Sequence, residues 1–191
     1  MLEKTSEYLT NQLYIKGEIE QNKIEIIQYG FEIFLSSAFI LFSIPLYAVI
    51  MFKLSEGMVF LAFFMPIRLF SGGYHATTYR KCYICTISLF IVTVISSYLL
   101  PIKNIIFVLV ALTGSSVYIF INAPCINEHH PLTESRYRKN KLQARITVII
   151  ESIMSIILYW INKGLCTVSI YTLLLVVGMM IFSMKEEKKI C

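Results

Sequence analysis

The sequence has no aspartate: all 12 acidic residues are glutamates. Any mechanism built on an Asp nucleophile, an Asp metal ligand or an Asp that orients a histidine is therefore excluded. Charge of either sign is scarce, at 15% of 191 residues. Cysteine is sparse and odd in number, with Cys82, Cys85, Cys125, Cys166 and Cys191 scattered along the chain, unlike the dense, even spacing of a secreted disulfide framework. At least one thiol is expected to be free. The first thirty residues carry Glu3, Glu7, Glu18, Glu20 and Glu25 against three lysines. They lack the basic, then apolar, then small-residue order of a cleavable signal peptide, so the N-terminus is expected to stay on the protein.

What the chain has in quantity is apolar sequence: 57% of residues are hydrophobic and the mean hydropathy is +0.68. The apolar residues form runs too uniform for the stripes of a soluble fold, which predicts an all-α, polytopic membrane protein. Six segments are read: Phe31 to Phe52, Gly57 to Phe70, Tyr83 to Leu100, Asn104 to Ala123, Ile146 to Asn162 and Leu165 to Met184. They are joined by short turns and by two longer loops, 71–82 and 124–145. The second segment is the weakest. Its 14 residues rise only about 21 Å, against a hydrocarbon core of about 30 Å, so a re-entrant hairpin is the alternative to a span.

Charge arbitrates between them. If all six segments span, one face of the membrane holds only Lys53, Lys103 and Lys163, and the other holds the remaining fourteen of the 17 lysines and arginines. A non-spanning second segment gives a less lopsided distribution. The positive-inside rule then makes the basic face cytoplasmic, with both termini on it. The second helix is expected to reach spanning length by continuing through Ser71 to Tyr74, with Arg68 snorkelling to the interface. Residues 1–30 are polar, with Leu9, Leu13, Ile24 and Ile27 at helical spacing, which predicts an amphipathic helix lying on the membrane surface, a solvated tail being the alternative. No internal repeat is evident. One membrane domain, 1–191, accounts for the chain: a polar start (1–30), six transmembrane helices (31–184) and a cytoplasmic tail (185–191).

The densest chemistry lies in Arg68-Leu-Phe-Ser-Gly-Gly-Tyr-His-Ala-Thr-Thr-Tyr-Arg-Lys-Cys82. A cysteine attacks as thiolate, and a neighbouring histidine is the usual proton acceptor. On one straight helix, seven residues would separate His75 from Cys82 by about 10.5 Å, beyond hydrogen-bond reach. Gly72-Gly73 supplies the bend that could bring them together, and Thr77 or Thr78 can cap a new helix. Cys82 then falls in the first turn of that helix, where the helix dipole and the adjacent Arg80 and Lys81 favour the anionic sulfur.

The pattern Arg68-x-Phe70-x-Gly72-Gly73-x-His75-Ala76 with Cys82 seven residues after the histidine resembles the signature of the accessory gene regulator B (AgrB) family, membrane cysteine endopeptidases that process quorum-sensing pro-peptides in Gram-positive bacteria. The chain's length, its six apolar segments, its polar start and its basic loop before the last two segments are similar to that family throughout. The resemblance implies that His75 and Cys82 are the catalytic pair and that Arg68 and Gly73 support the site. It also implies an AgrD-like precursor peptide as substrate, a Cys82 thioester intermediate, and release of a cyclic thiolactone or lactone. The oxyanion stabiliser stays open between backbone N–H groups at the helix start, the Arg68 guanidinium and loop donors elsewhere.

Other constellations are weaker. Cys82-x-x-Cys85 has the spacing of a redox or zinc half-site, and Cys125 with His129 could complete a Cys₃His set. Cys85 is more simply a packed apolar thiol, and Glu128-His129-His130 lacks the His-Glu-x-x-His order of zinc peptidases. No metal or other cofactor is expected. Glu151 is an ionisable residue inside an apolar run, about 9 Å from Arg145 by helical rise; Glu32 lies nearer an interface. The Arg136 to Arg145 cluster reads as an orientation signal, with anionic lipid or an acidic peptide segment as alternative partners. Nucleic acid is not expected as a partner, because the basic residues flank apolar runs, and a homodimer is permitted but not required. A non-catalytic transporter or scaffold is the rival function. Its expected polar groups near the midplane of two matching halves are not evident. The orientation is testable with a membrane-impermeant maleimide: Cys191 should react only in opened or inverted vesicles, and exclusive labelling from outside the cell would reverse the topology.

Overall fold

A computed structural model describes residues 2–71, 79–125 and 134–190. These residues form helices α1 (Leu2–Ile15), α2 (Ile24–Ile50), α3 (Leu54–Ser71), α4 (Tyr79–Leu99), α5 (Ile105–Asn122), α6 (Glu134–Ile161) and α7 (Lys163–Ile190), with a 3₁₀ turn at Gln21–Lys23 and no strand among them. Six helices, α2 to α7, are long and apolar enough to cross a membrane. The doubtful second segment is an 18-residue helix, about 27 Å long by its rise. Its extra length comes at the N-terminal end, from Leu54, as well as at Ser71; the expected continuation through Gly72 to Tyr74 lies outside the described residues.

Local chemistry sets the helix ends. The α2–α3 turn places Phe52 at φ 56°, and the Lys53 N–H donates to the Ala48 carbonyl at 2.7 Å, six residues closing one reversal. Asn104 caps α5 by accepting from the Ile106 N–H at 2.9 Å. Asn162, the one residue between α6 and α7, accepts from the N–H groups of Gly164 and Leu165 at 2.9 and 3.2 Å.

Two boundaries differ from the sequence reading. The basic residues Arg136, Arg138, Lys139, Lys141 and Arg145, expected in a loop, lie on the first turns of α6. Arg, Lys, Gln and Leu are good helix formers, and Glu134 accepts from Arg138 at 2.6 Å across one turn. At the start of the chain, α1 folds back against α2. Its fully buried residues are Ser6 and Thr10, with Leu9 and Leu13 only half-buried. Small hydroxyl residues allow close approach, and Ser6 donates to the Glu32 carboxylate at 3.2 Å, where Gln28 also donates.

The bundle is organised around α7, which packs against α3, α4, α5 and α6. From Cys166 to Ile170 every residue of α7 is buried. Hydroxyls rather than bulk join its N-terminal half to the neighbours, as expected where lipid removes the hydrophobic drive between helices. Ser169 donates to Ser155 of α6 at 2.9 Å, and Thr167 accepts from the Ile102 N–H at 3.2 Å. Between α5 and α6, Ser116 and Ser152 share a 2.9 Å hydrogen bond. The α3 core is aromatic: Phe60 stacks on Phe64 with centroids 5.0 Å apart and meets Phe90 of α4 at 5.4 Å.

Helices α2 and α3 approach closely at Gly57, where an added Cβ would lie 2.5 Å from the Ala48 Cβ of α2. Gly57→Ala is therefore expected to destabilise the protein by about 1–3 kcal/mol. Ala48→Gly in the same chain should recover most of that loss in thermal unfolding of the detergent-solubilised protein. An additive double mutant would show that the two helices do not meet there.

Candidate active site

The end of the bundle where α3 finishes and α4 begins also carries the start of α6 and the end of α7. Four contacts define it: Arg68 with Met179, Tyr118 with Met184, Arg145 with the Phe120 carbonyl, and the Cys125 N–H with the Ser71 carbonyl at 2.8 Å. The basic first turns of α6 and the lysines of the α7 tail therefore belong to the same end as the Arg68 to Cys82 stretch.

Arg68 stands in the last turn of α3, where the exposed carbonyls of the helix favour a cation. Phe60, Phe64 and Arg68 follow at four-residue spacing and so share one face of the helix. The guanidinium carbon lies 5.5 Å from the centre of the Phe64 ring. One of its nitrogens, Nη1, is 3.5 Å from the Met179 sulfur of α7. The other, Nη2, donates to Cys82 Sγ at 3.9 Å. An arginine half-buried among an aromatic ring and two sulfurs has its stem in the bundle and its head at the rim.

Cys82 is the fourth residue of α4 and is half-buried. Its expected place in the first turn of a new helix is thus found, with Arg80 and Lys81 beside it and exposed. Its backbone carbonyl accepts from Thr86 at 3.0 Å, so the first turns of α4 are additionally tied. The sulfur faces a guanidinium N–H, and such a donor is held more strongly by an anionic acceptor than by a neutral one. Cys82 is thus half-buried at the start of a helix, with the Arg68 guanidinium in front of it and Arg80 and Lys81 beside it.

Arg68 and Cys82, two of the four residues singled out from sequence, are therefore brought together. Gly73 and His75 lie outside the described residues, as do Gly72, Thr77 and Thr78, and so does the His75–Cys82 geometry. His129 and His130, considered for a zinc site, are likewise outside. Cys85 lies one turn deeper on α4.

Two participants were not foreseen. Met179, in an otherwise apolar run, gives no sequence signal of its role beneath the arginine. Cys125 brings the α5–α6 connection onto the end of α3, a contact 54 residues apart in sequence that no local pattern encodes. Glu32, read as an ordinary interfacial residue, holds α1 in place.

Residues 3–184 match the family model described as Accessory gene regulator B. A protein of Clostridium perfringens (strain 13 / Type A) named as AgrB-like protein 1 is 32% identical over 180 residues, covering 91% of this chain and 93% of that relative. A second protein named as AgrB-like, from Clostridium beijerinckii, is 34% identical over 91 residues, covering 48% of this chain and 43% of its own length. No solved structure matches.

The Arg68 contact makes a measurable demand on the thiol. With the other four cysteines replaced by serine, Arg68→Met should slow maleimide modification of Cys82 by about 3- to 10-fold, and Arg68→Lys by less. An unchanged rate would show that the guanidinium does not act on the sulfur.

Proposed function

The chain belongs to the accessory gene regulator B family, and on that premise we propose that it is a membrane cysteine endopeptidase with Cys82 as nucleophile and His75 as its base. Membership places the chain in quorum-sensing peptide processing at a membrane, with an AgrD-type peptide as its partner. The observation that carries the finer reading is the 3.9 Å approach of Arg68 Nη2 to Cys82 Sγ at the start of α4. A buried structural thiol has no need of a guanidinium, whereas a nucleophile that must carry negative charge gains from one.

In this reading the Cys82 sulfur attacks the scissile carbonyl of the precursor as His75 takes the thiol proton. Negative charge moves to the carbonyl oxygen, and Arg68 is one candidate to receive it, alongside the N–H groups that open α4. Collapse breaks the C–N bond, His75 returns the proton to the leaving amine, and the C-terminal fragment departs. The N-terminal fragment remains as a thioester on Cys82. A thiol or hydroxyl within the same bound peptide then attacks that thioester, closes a ring and restores the Cys82 thiol. High effective molarity favours this internal capture over hydrolysis wherever the site keeps water away.

Gly73 keeps its proposed role as a support of the site. In this reading the basic face, with the site on it, faces the cytoplasm, where a newly made peptide arrives. There Arg136, Arg138, Lys139 and Lys141 on α6 suit an acidic peptide segment or anionic lipid.

Purified protein in lipid vesicles, given candidate precursor peptide, tests the reading. Cys82→Ala should abolish cleavage and ring formation, and His75→Ala should reduce both by about 10²- to 10⁴-fold. Cys82→Ser should at most form an ester slowly. Wild-type rates from Cys82→Ala would leave only the transporter or scaffold reading.

A further inference from the structure

Glu151 lies on the inward stripe of α6 with Ala144, Val148 and Ser155. It is 5% exposed, and neither carboxylate oxygen has a hydrogen-bond partner among the described residues. On α5 the buried stripe is Val108, Leu112, Ser115 and Ile119; the Ser115 hydroxyl is also buried, at 3% exposure, and also without a partner. The hydrogen bond between Ser116 and Ser152 fixes the level at which the two helices face each other. Ser115 and Glu151, each one residue before a member of that pair on antiparallel helices, therefore enter the core within about 3 Å of the same height. The Ser155 and Ser169 hydroxyls follow one turn further along α6.

Among the described residues no fixed cation reaches this level. Of the helices packed against α6, α5 has no charged residue and only the Tyr118 phenol as a titratable group, which donates to Met184 Sδ. On α3 the charged residues are Glu56 and Arg68, toward opposite ends, with Glu56 paired to Lys53 and Arg68 directed at Met179 and Cys82. On α7, Lys163 lies at the outer end over the Tyr159 ring, Cys166 is buried near it, Tyr171 donates to the Leu100 carbonyl, and the remaining charges begin at Lys185. On α6 itself the nearest is Arg145, bound to the Phe120 carbonyl; Tyr159 donates to the Lys103 carbonyl.

A carboxylate enclosed at this depth must be neutralised. A metal ion would need several oxygens in a shell. Here three oxygens are uncommitted, and Ser152, Ser155, Ser169 and Thr172 already donate to helix carbonyls or to one another. A proton needs only one. We propose that Glu151 is an intramembrane proton-binding site, holding a proton while α6 is closed against α5 and α7 and releasing it when that seam opens to water. The site is separate from the Cys82 chemistry and does not depend on the peptidase reading.

Dicyclohexylcarbodiimide, which dissolves in lipid and adds to carboxylic acids rather than carboxylates, tests this on the wild-type protein in phosphatidylethanolamine–phosphatidylglycerol vesicles. Peptide mapping at neutral pH should find roughly tenfold or more adduct at Glu151 than at Glu56, unchanged when sodium chloride replaces choline chloride. No adduct at Glu151, or one that sodium suppresses, overturns the proposal, the second result by making the occupant a metal ion. Glu151→Gln gives an independent readout, since it mimics the neutral acid and cannot ionise. The folded wild type holds a proton that the unfolded chain gives up, so its thermal midpoint should fall relative to Glu151→Gln as the pH rises from mildly acidic to mildly alkaline. Parallel pH profiles would equally overturn it.

Discussion

Within hydrocarbon a polar group finds no water, so each must be answered by another part of the chain or moved to the rim. The bundle around α7 follows from that constraint. Its N-terminal half uses Thr167 and Ser169 to answer a loop N–H and a serine of α6. From Leu173 to Phe182 the helix is apolar, and there the Met179 sulfur is a weak acceptor soft enough to lie under a guanidinium. Arg68 is tolerated at this depth because it has both somewhere to lie and something to donate to, and the thiol it meets is thereby fixed at the edge of the membrane. One residue both packs the helices and positions the thiol.

The same constraint separates two kinds of polar residue. Hydroxyls bonded back to their own helix, such as Thr86, Thr93 and Thr172, cost little and let helices approach closely. Charged side chains lie mostly at the two rims, where Lys53 pairs with Glu56 at 3.0 Å on one side and the basic turns of α6 occupy the other. Glu151 stands outside both groups, which makes it the most conspicuous residue beyond the Arg68 and Cys82 site.

The six spans were legible in the sequence because hydrocarbon thickness demands long apolar runs, and charge asymmetry resolved the short second one. Cys82 at a helix start was legible too, since the polar, glycine-containing stretch after Arg68 interrupts the apolar runs on either side of it. Helix ends were less so: the basic stretch 134–145 is polar enough to read as a loop yet is built from strong helix formers, and α6 takes it up. Pro45 and Pro66 lie inside α2 and α3, where rules from soluble helices would place a break. The unseen part was tertiary. Nothing near Met179, Cys125 or Glu32 in the sequence announces Arg68, Ser71 or Ser6 as a partner, because such contacts depend on which faces of distant helices meet.

Asn162 has a mechanical consequence. With a single residue between α6 and α7, its backbone bonded to both helices through Leu158 and Cys166 and its side chain capping α7, the ends of the two helices that it joins cannot part. Any relative movement must swing about that point. The 28 residues of α6 make a lever about 42 Å long, so a few degrees at the joined end becomes several ångströms at the N-terminal tip of α6. The fulcrum is thus on one side of the membrane and the working end, with its arginines and lysines, on the other.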